Sequence, residues 1–173
     1  MDLLYTLLLV AIPAIIVYLA SYLSFKKIIE SEENRRKQEL MVNNQKIIIP
    51  IRLRAYERLI LFLERISPEN LIVRITRPEM NSGELQEALI TAIRSEFEHN
   101  LSQQLYVSIQ TWESVKNAKS NLIGIINSAM DGISPLSPGI ILSRKILTKL
   151  VEREENPVTP SIEFLKSEVS ILF

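Results

Sequence analysis

Cysteine is absent from these 173 residues, histidine occurs once, glycine four times, and aspartate only as Asp2 and Asp131. Each scarcity closes a class of function. Without thiols there are no disulfides, thiolate zinc sites, iron–sulfur clusters or cysteine nucleophiles. So few glycines leave no phosphate-cradling loop of the Walker or dinucleotide type, and no Gly-x-Ser-x-Gly presents a serine on a sharp turn. His99 has Glu96 and Glu98 beside it, and a helical Glu-x-x-His offers two ligands on one face; a dinuclear bundle site needs a second such pair, which is missing. His99 therefore reads as an ordinary surface or boundary histidine, and the sequence predicts no catalytic residue, no metal and no cofactor. Excess charge of one sign is lacking too. With 20 basic and 20 acidic side chains and a pI near 6.6, nucleic acid is not an expected partner.

A long apolar run is present. Leu3 to Phe25 carries no charge over 23 residues, and about 20 apolar residues at ~1.5 Å rise cross a ~30 Å hydrocarbon core. Tyr5 and Tyr22 suit its two interfaces, and Pro13 is placed to kink its middle. A cleaved signal peptide would want a basic n-region, a shorter apolar core and a small-x-small cleavage site, none of which is found. Only Asp2 is charged before the run, whereas Lys26, Lys27, Arg35, Arg36 and Lys37 follow it. By the positive-inside rule, the expectation is a single-pass inner-membrane protein with its C-terminal part cytoplasmic and the lipid bilayer among its partners.

Three segments follow from this reading: an anchor at 1–25, a juxtamembrane stalk at 26–49 and a cytoplasmic helical domain at 50–173. The stalk has no proline or glycine before Ile49-Pro50 and is rich in helix formers; 20 helical residues would extend about 30 Å. Its charges suit a solvated helix face or attraction to anionic lipid. Pro50 marks a boundary, because proline disfavours a helical residue before it and suits the first turn after it. Helices are then predicted from Pro50 or Ile51 to Ile66, over Leu71 to Thr76 (a segment that also reads as a strand), from Asn81 to about Asn100, from about Ser108 to Met130, from Ser137-Pro138 to about Glu155, and from Thr159-Pro160 to the end. Asn81 with Glu84 forms a capping-box pattern, and Leu85, Leu89, Ile93 and Phe97 recur every four residues. The expected fold class is all-α.

The stretches Arg52-Leu-Arg-Ala-Tyr-Glu-Arg-Leu59, Phe97-Glu-His-Asn-Leu-Ser-Gln-Gln104 and Thr111-Trp112, with Ala118-Lys119 after them, resemble an uncharacterised family of membrane-anchored proteins from Bacteroidota. The resemblance covers roughly residues 50–130. It implies an inner-membrane setting and a helical domain, and it transfers no catalytic residue.

Two sets of residues stand out on helical wheels. Arg52, Glu96, Asn100 and Lys119 each fall on the apolar arc of their own helix, so they either meet in a buried polar network or snorkel outward on long side chains. On the helix from Ser108 to Met130, Gln110, Ser114, Asn117 and Asn121 form a polar but barely charged face, which suits either solvent or the seam of a homo-oligomer. The leading functional expectation is a noncatalytic scaffold or accessory subunit of an inner-membrane complex, partnered by other membrane proteins. The alternative is a membrane-tethered binder of nucleic acid or an anionic ligand through the edge formed by Arg54, Arg58 and Arg65, a field that Glu57 and Glu64 weaken.

Overall fold

The computed structural model describes the backbone of residues 3–152 and 156–172 and the side chains of residues 15–19, 21–152 and 156–171. Over these residues the protein is all-helical: α1 (Leu3–Ile66), α2 (Pro68–Ile75), α3 (Ser82–His99), a 3-10 turn (Leu101–Leu105), α4 (Ile109–Met130), α5 (Gly139–Glu152) and α6 (Thr159–Leu172). The chain divides into two compact units, Met1–Ile49 and Pro50–Phe173.

In the first unit α1 is the sole element, and its described side chains are exposed throughout. Arg35 links to Glu39 at 3.0 Å and Glu32 at 3.9 Å, pairs one turn apart on one helix face. Among the described residues no helix is long and apolar enough to cross a membrane. The expected span, Leu3 to Phe25, has residues 3–14 and 20 outside the described side chains. The division between the two units falls at Ile49 and Pro50, but the new helix start expected there needs correction, since α1 is one helix from Leu3 to Ile66. A proline forfeits one backbone hydrogen bond, but a break would require renucleating a helix on its far side, and nucleation is the expensive step.

The second unit is a helical domain built on that last stretch of α1. Ala55, Leu59, Phe62, Leu63 and Ile66 recur at intervals of three and four and are essentially inaccessible. Ser67-Pro68 then turns the chain into α2, with proline in the first helical turn where its missing N–H goes unneeded. Leu71 to Ile75 is thus helical and not a strand. The capping box forms as read: Asn81 Oδ1 accepts from the Glu84 amide at 2.9 Å, and Glu84 Oε2 accepts from the Asn81 amide at 3.0 Å.

Leu85, Leu89, Ile93 and Phe97 of α3 face Val115, Leu122 and Ile126 of α4 and Leu142 and Ile146 of α5 in one core. Phe97 lies against Phe62 (centroids 5.9 Å apart, tilted 58°) and Trp112 (5.3 Å, 25°). α4 ends at Asp131, and Gly132 takes the left-handed φ of 75° that lets the chain reverse. The segments leading into α3 and α5 clasp each other by backbone bonds: Ser82 N–H to Ser137 O at 2.7 Å, Gly83 N–H to Pro135 O at 2.9 Å and Gly139 N–H to Met80 O at 2.9 Å. A Cβ on Gly139 would stand 2.9 Å from the Met80 carbonyl oxygen, closer than carbon and oxygen tolerate.

Candidate functional site

Ser108 opens α4 by accepting a hydrogen bond from the Thr111 amide at 3.0 Å. The helix then turns Val115, Ala118 and Leu122 into the core, which leaves Gln110, Ser114, Asn117 and Asn121 on its other side. The start of α6 lies beside that polar face. Ser161 Oγ donates to the Ser114 carbonyl at 2.9 Å, and Ser114 Oγ donates to Ser161 Oγ at 2.8 Å. Between the two helices runs a groove of about 510 Å³, lined by the four α4 residues named above together with Ile109, Pro157, Pro160 and Phe164. Among the described lining residues Glu113 is the charged one, and it is held by Lys116 at 2.6 Å, so the described walls present amides, hydroxyls and apolar surface. All four predicted residues therefore share one site. They form one wall of a groove within the domain, not a bare helix face, because α6 packs onto Ser114.

The predicted buried network does not assemble. Arg52 and Glu96 have different partners: Arg52 Nε donates to the Tyr106 carbonyl at 3.1 Å, whereas Glu96 Oε1 accepts from Arg65 at 2.7 Å and lies 3.6 Å from Arg74. Asn100 is buried and donates to the Glu96 carbonyl at 2.8 Å, ending α3 locally. Lys119 places Nζ 3.8 Å from the centre of the Phe97 ring, so its charge is accommodated by an aromatic face and not by a carboxylate. The wheels located polar groups on apolar arcs correctly, but helical phase alone does not say which arcs meet.

Arg52 belongs to a cluster that the sequence reading missed. It reaches Tyr56 Oη at 3.5 Å, and across from it Glu168 on α6 accepts hydrogen bonds from Ser108 Oγ at 2.9 Å and from Thr111 Oγ1. Burial by itself would raise the Glu168 pKa, yet hydrogen bonds from Thr111, Tyr56 and Ser108 and the charge of Arg52 outweigh it and hold the carboxyl below its usual range. Burial pushes the Tyr56 phenol up, and its bond to Glu168 adds to the rise. A signal existed: Glu168 follows Leu165 by three residues and Ser161 by seven, so it too sits on the buried arc of its helix.

The basic edge is only partly free. Arg58 and Arg65 line a shallow cleft with Glu96, His99 and Asn100, and the Arg65 guanidinium is already engaged by Glu96 through Nε and Nη2. Arg54 is exposed on α1 outside that cleft. Among the described residues no cluster of three or more histidine, aspartate and glutamate side chains is arranged to hold a metal ion.

Comparison with known proteins adds one relationship. No curated protein and no solved structure matches the chain. A family model described as a family of unknown function, DUF7935, matches residues 2–172. With nearly the whole chain matched, the protein belongs to the DUF7935 family.

Proposed function

We propose that this protein is a noncatalytic, membrane-anchored scaffold or accessory subunit of an inner-membrane complex, which binds a protein partner in the α4–α6 groove. The groove carries the reading. Gln110, Asn117 and Asn121 offer both donors and acceptors, the pairing that peptide groups need, and Ile109 and Phe164 are 78% and 40% exposed beside them. Anchoring is supported by the uncharged run Leu3 to Phe25 and by the exposure of Ile15, Ile16, Val17, Tyr18 and Leu19, each more than half accessible. Basic residues after the run favour a cytoplasmic domain.

The test is affinity purification of the full chain from native membranes in mild detergent, with mass spectrometry, beside an Asn117→Arg variant. Wild type should retain a defined set of membrane proteins that the variant loses while keeping its helical content and Tm. Equal recovery from both would refute the groove as the binding surface. Binding to the Arg54, Arg58 and Arg65 edge has less support, because Arg65 is held by Glu96; steeply salt-dependent retention of nucleic acid would restore it.

A further inference from the structure

α6 is seated differently from the helices of the core. From Val158 onwards its buried side chains, Ser161, Ile162 and Leu165, fall on one line, and the next position on that line is Glu168. A groove lies open on either flank of the line. One is the α4–α6 groove; the other, of about 330 Å³, sets Lys166 and Val169 against Leu53, Ile60 and Leu61 of α1. Past Leu165 apolar anchoring gives way to the Glu168 carboxylate, which accepts from Ser108 Oγ at 2.9 Å and from Thr111 Oγ1 on the α4 side and faces Tyr56 and Arg52 of α1. Beyond it Ile171 is 84% exposed. The opposite end of the helix is tied down. Asn156 Oδ1 accepts from the Val158 amide at 3.1 Å, the Thr159 amide donates to the Asn156 carbonyl at 3.1 Å, and Asn156 Nδ2 donates to Glu69 of α2 at 3.3 Å.

We propose that α6 is a strap: it pivots at the Asn156–Thr159 turn and swings off α4 while the rest of the domain stays folded, with Glu168 as the catch at its free end. Because Val158 sits at the pivot, the buried apolar side chains that the swing uncovers on α6 are Ile162 and Leu165. The other groups it parts are hydroxyls and a carboxylate, Ser114 from Ser161 and Ser108 and Thr111 from Glu168, and water satisfies them all. An element held in this way opens at lower free energy than helices that share the core. The inference deepens the groove reading and rests on it for its consequence: the groove exists only while α6 is closed, so a partner seated there holds the strap shut, and opening releases the partner.

The chain holds no cysteine, so one introduced thiol reports the motion. Thr111→Cys lies beneath α6 at an inaccessible position, and Ala129→Cys lies equally closed at the far end of α4. Each is labelled with a maleimide in the full chain, in mild detergent at pH 7. Thr111→Cys should react about tenfold faster than Ala129→Cys, with a urea dependence less than half as steep, because a local opening exposes less surface than unfolding. Glu168→Gln should speed Thr111→Cys about tenfold, the usual weight of a charged hydrogen bond. Ile146→Val, a core change on α5, should speed Ala129→Cys severalfold and leave Thr111→Cys unchanged. Hydrogen exchange makes the comparison in the unsubstituted chain: amides of residues 162–171 should exchange about tenfold faster than those of 118–129. Equal rates and urea slopes at the two thiols, equal acceleration of both by Ile146→Val, no response to Glu168→Gln, or equal protection of the two amide segments would each overturn the strap. Fraying of the last turn alone would leave Thr111→Cys as slow as Ala129→Cys, and would overturn it too. No partner is present in either measurement, so failure of the strap and failure of the groove to retain a partner are separate results.

Discussion

Lys119 and Phe97 form a cation–aromatic contact, with the ammonium 3.8 Å from the ring centre, while Trp112 stacks on the same ring at 5.3 Å. A lysine on an apolar arc is thereby matched without a counter-ion. Lys119→Met keeps the stem's packing and removes the charge, so it should cost ~0.5–2 kcal/mol, and Phe97→Leu should remove the same coupling in a double-mutant cycle. Chemical denaturation of all four proteins checks it; zero coupling would mean that the contact contributes only packing.

Arg65 and Arg74 converge on the same Glu96 oxygen, bracing the ends of α1 and α2 against α3. Arg74 Nη2 also donates to the Arg65 carbonyl at 3.2 Å. Because both arginines are substantially exposed, Glu96→Gln is expected to cost only about 1 kcal/mol. Measured coupling should be present for Arg65 with Glu96 and absent for Arg52 with Glu96.

Glu168 sets a pH dependence. Its folded pKa lies below the ordinary 4.5, so the stabilisation from its ionised form is fully present above about pH 5 and is lost as pH falls through the folded value. Glu168→Gln should therefore destabilise at pH 7 by ~1–3 kcal/mol, the usual loss for a hydrogen-bonded charged group, and the gap to wild type should narrow towards pH 3. Tm measured across pH 3–7 decides this; a gap that stays constant would show that the carboxylate charge is not used.

Gly139→Ala tests the clasp between the segments entering α3 and α5. Its added methyl would meet the Met80 oxygen at 2.9 Å, and the backbone that must move is hydrogen-bonded on both sides. The expected cost is ~1–3 kcal/mol. By contrast, Gly124→Ala meets nothing within 4 Å on an exposed part of α4 and should stabilise by ~0.5–1 kcal/mol through helix propensity. Thermal melts of the two variants should move in opposite directions.

How far the sequence carries the fold can be judged element by element. The Asn81–Glu84 box, the every-fourth-residue stripe of α3 and the proline at the start of α2 are local signals, and local signals were legible. Leu101–Leu105 was not anticipated as a 3-10 turn, because its bonds reach back only three residues and leave no amphipathic period. Pro50 starts no new helix, because its steric rule is a preference that a long helix overrides, although the two units divide at that residue. At the polar sites the wheel placed Arg52 on an apolar arc but not its neighbours: Tyr106 lies 54 residues away, and Glu168 is on the last helix. Partner choice across a bundle is decided by tertiary docking, which no window of one sequence contains.

The clasp between residues 80–83 and 135–139 is made largely by main-chain atoms, so, beyond the glycine it needs at 139 and the Ser82 hydroxyl bound to the Pro138 carbonyl, it reads position along the chain. A one-residue insertion or deletion at its edge would shift α5 by 1.5 Å and rotate it by about 100°. That rotation would carry Ile140, Leu147 and Val151 off their present face and bring core leucines towards water. Substitution at positions other than the two close-packed glycines, Gly83 and Gly139, is thus cheaper than a change in loop length: the clasp acts as an index that keeps one chosen side of α5 facing outward.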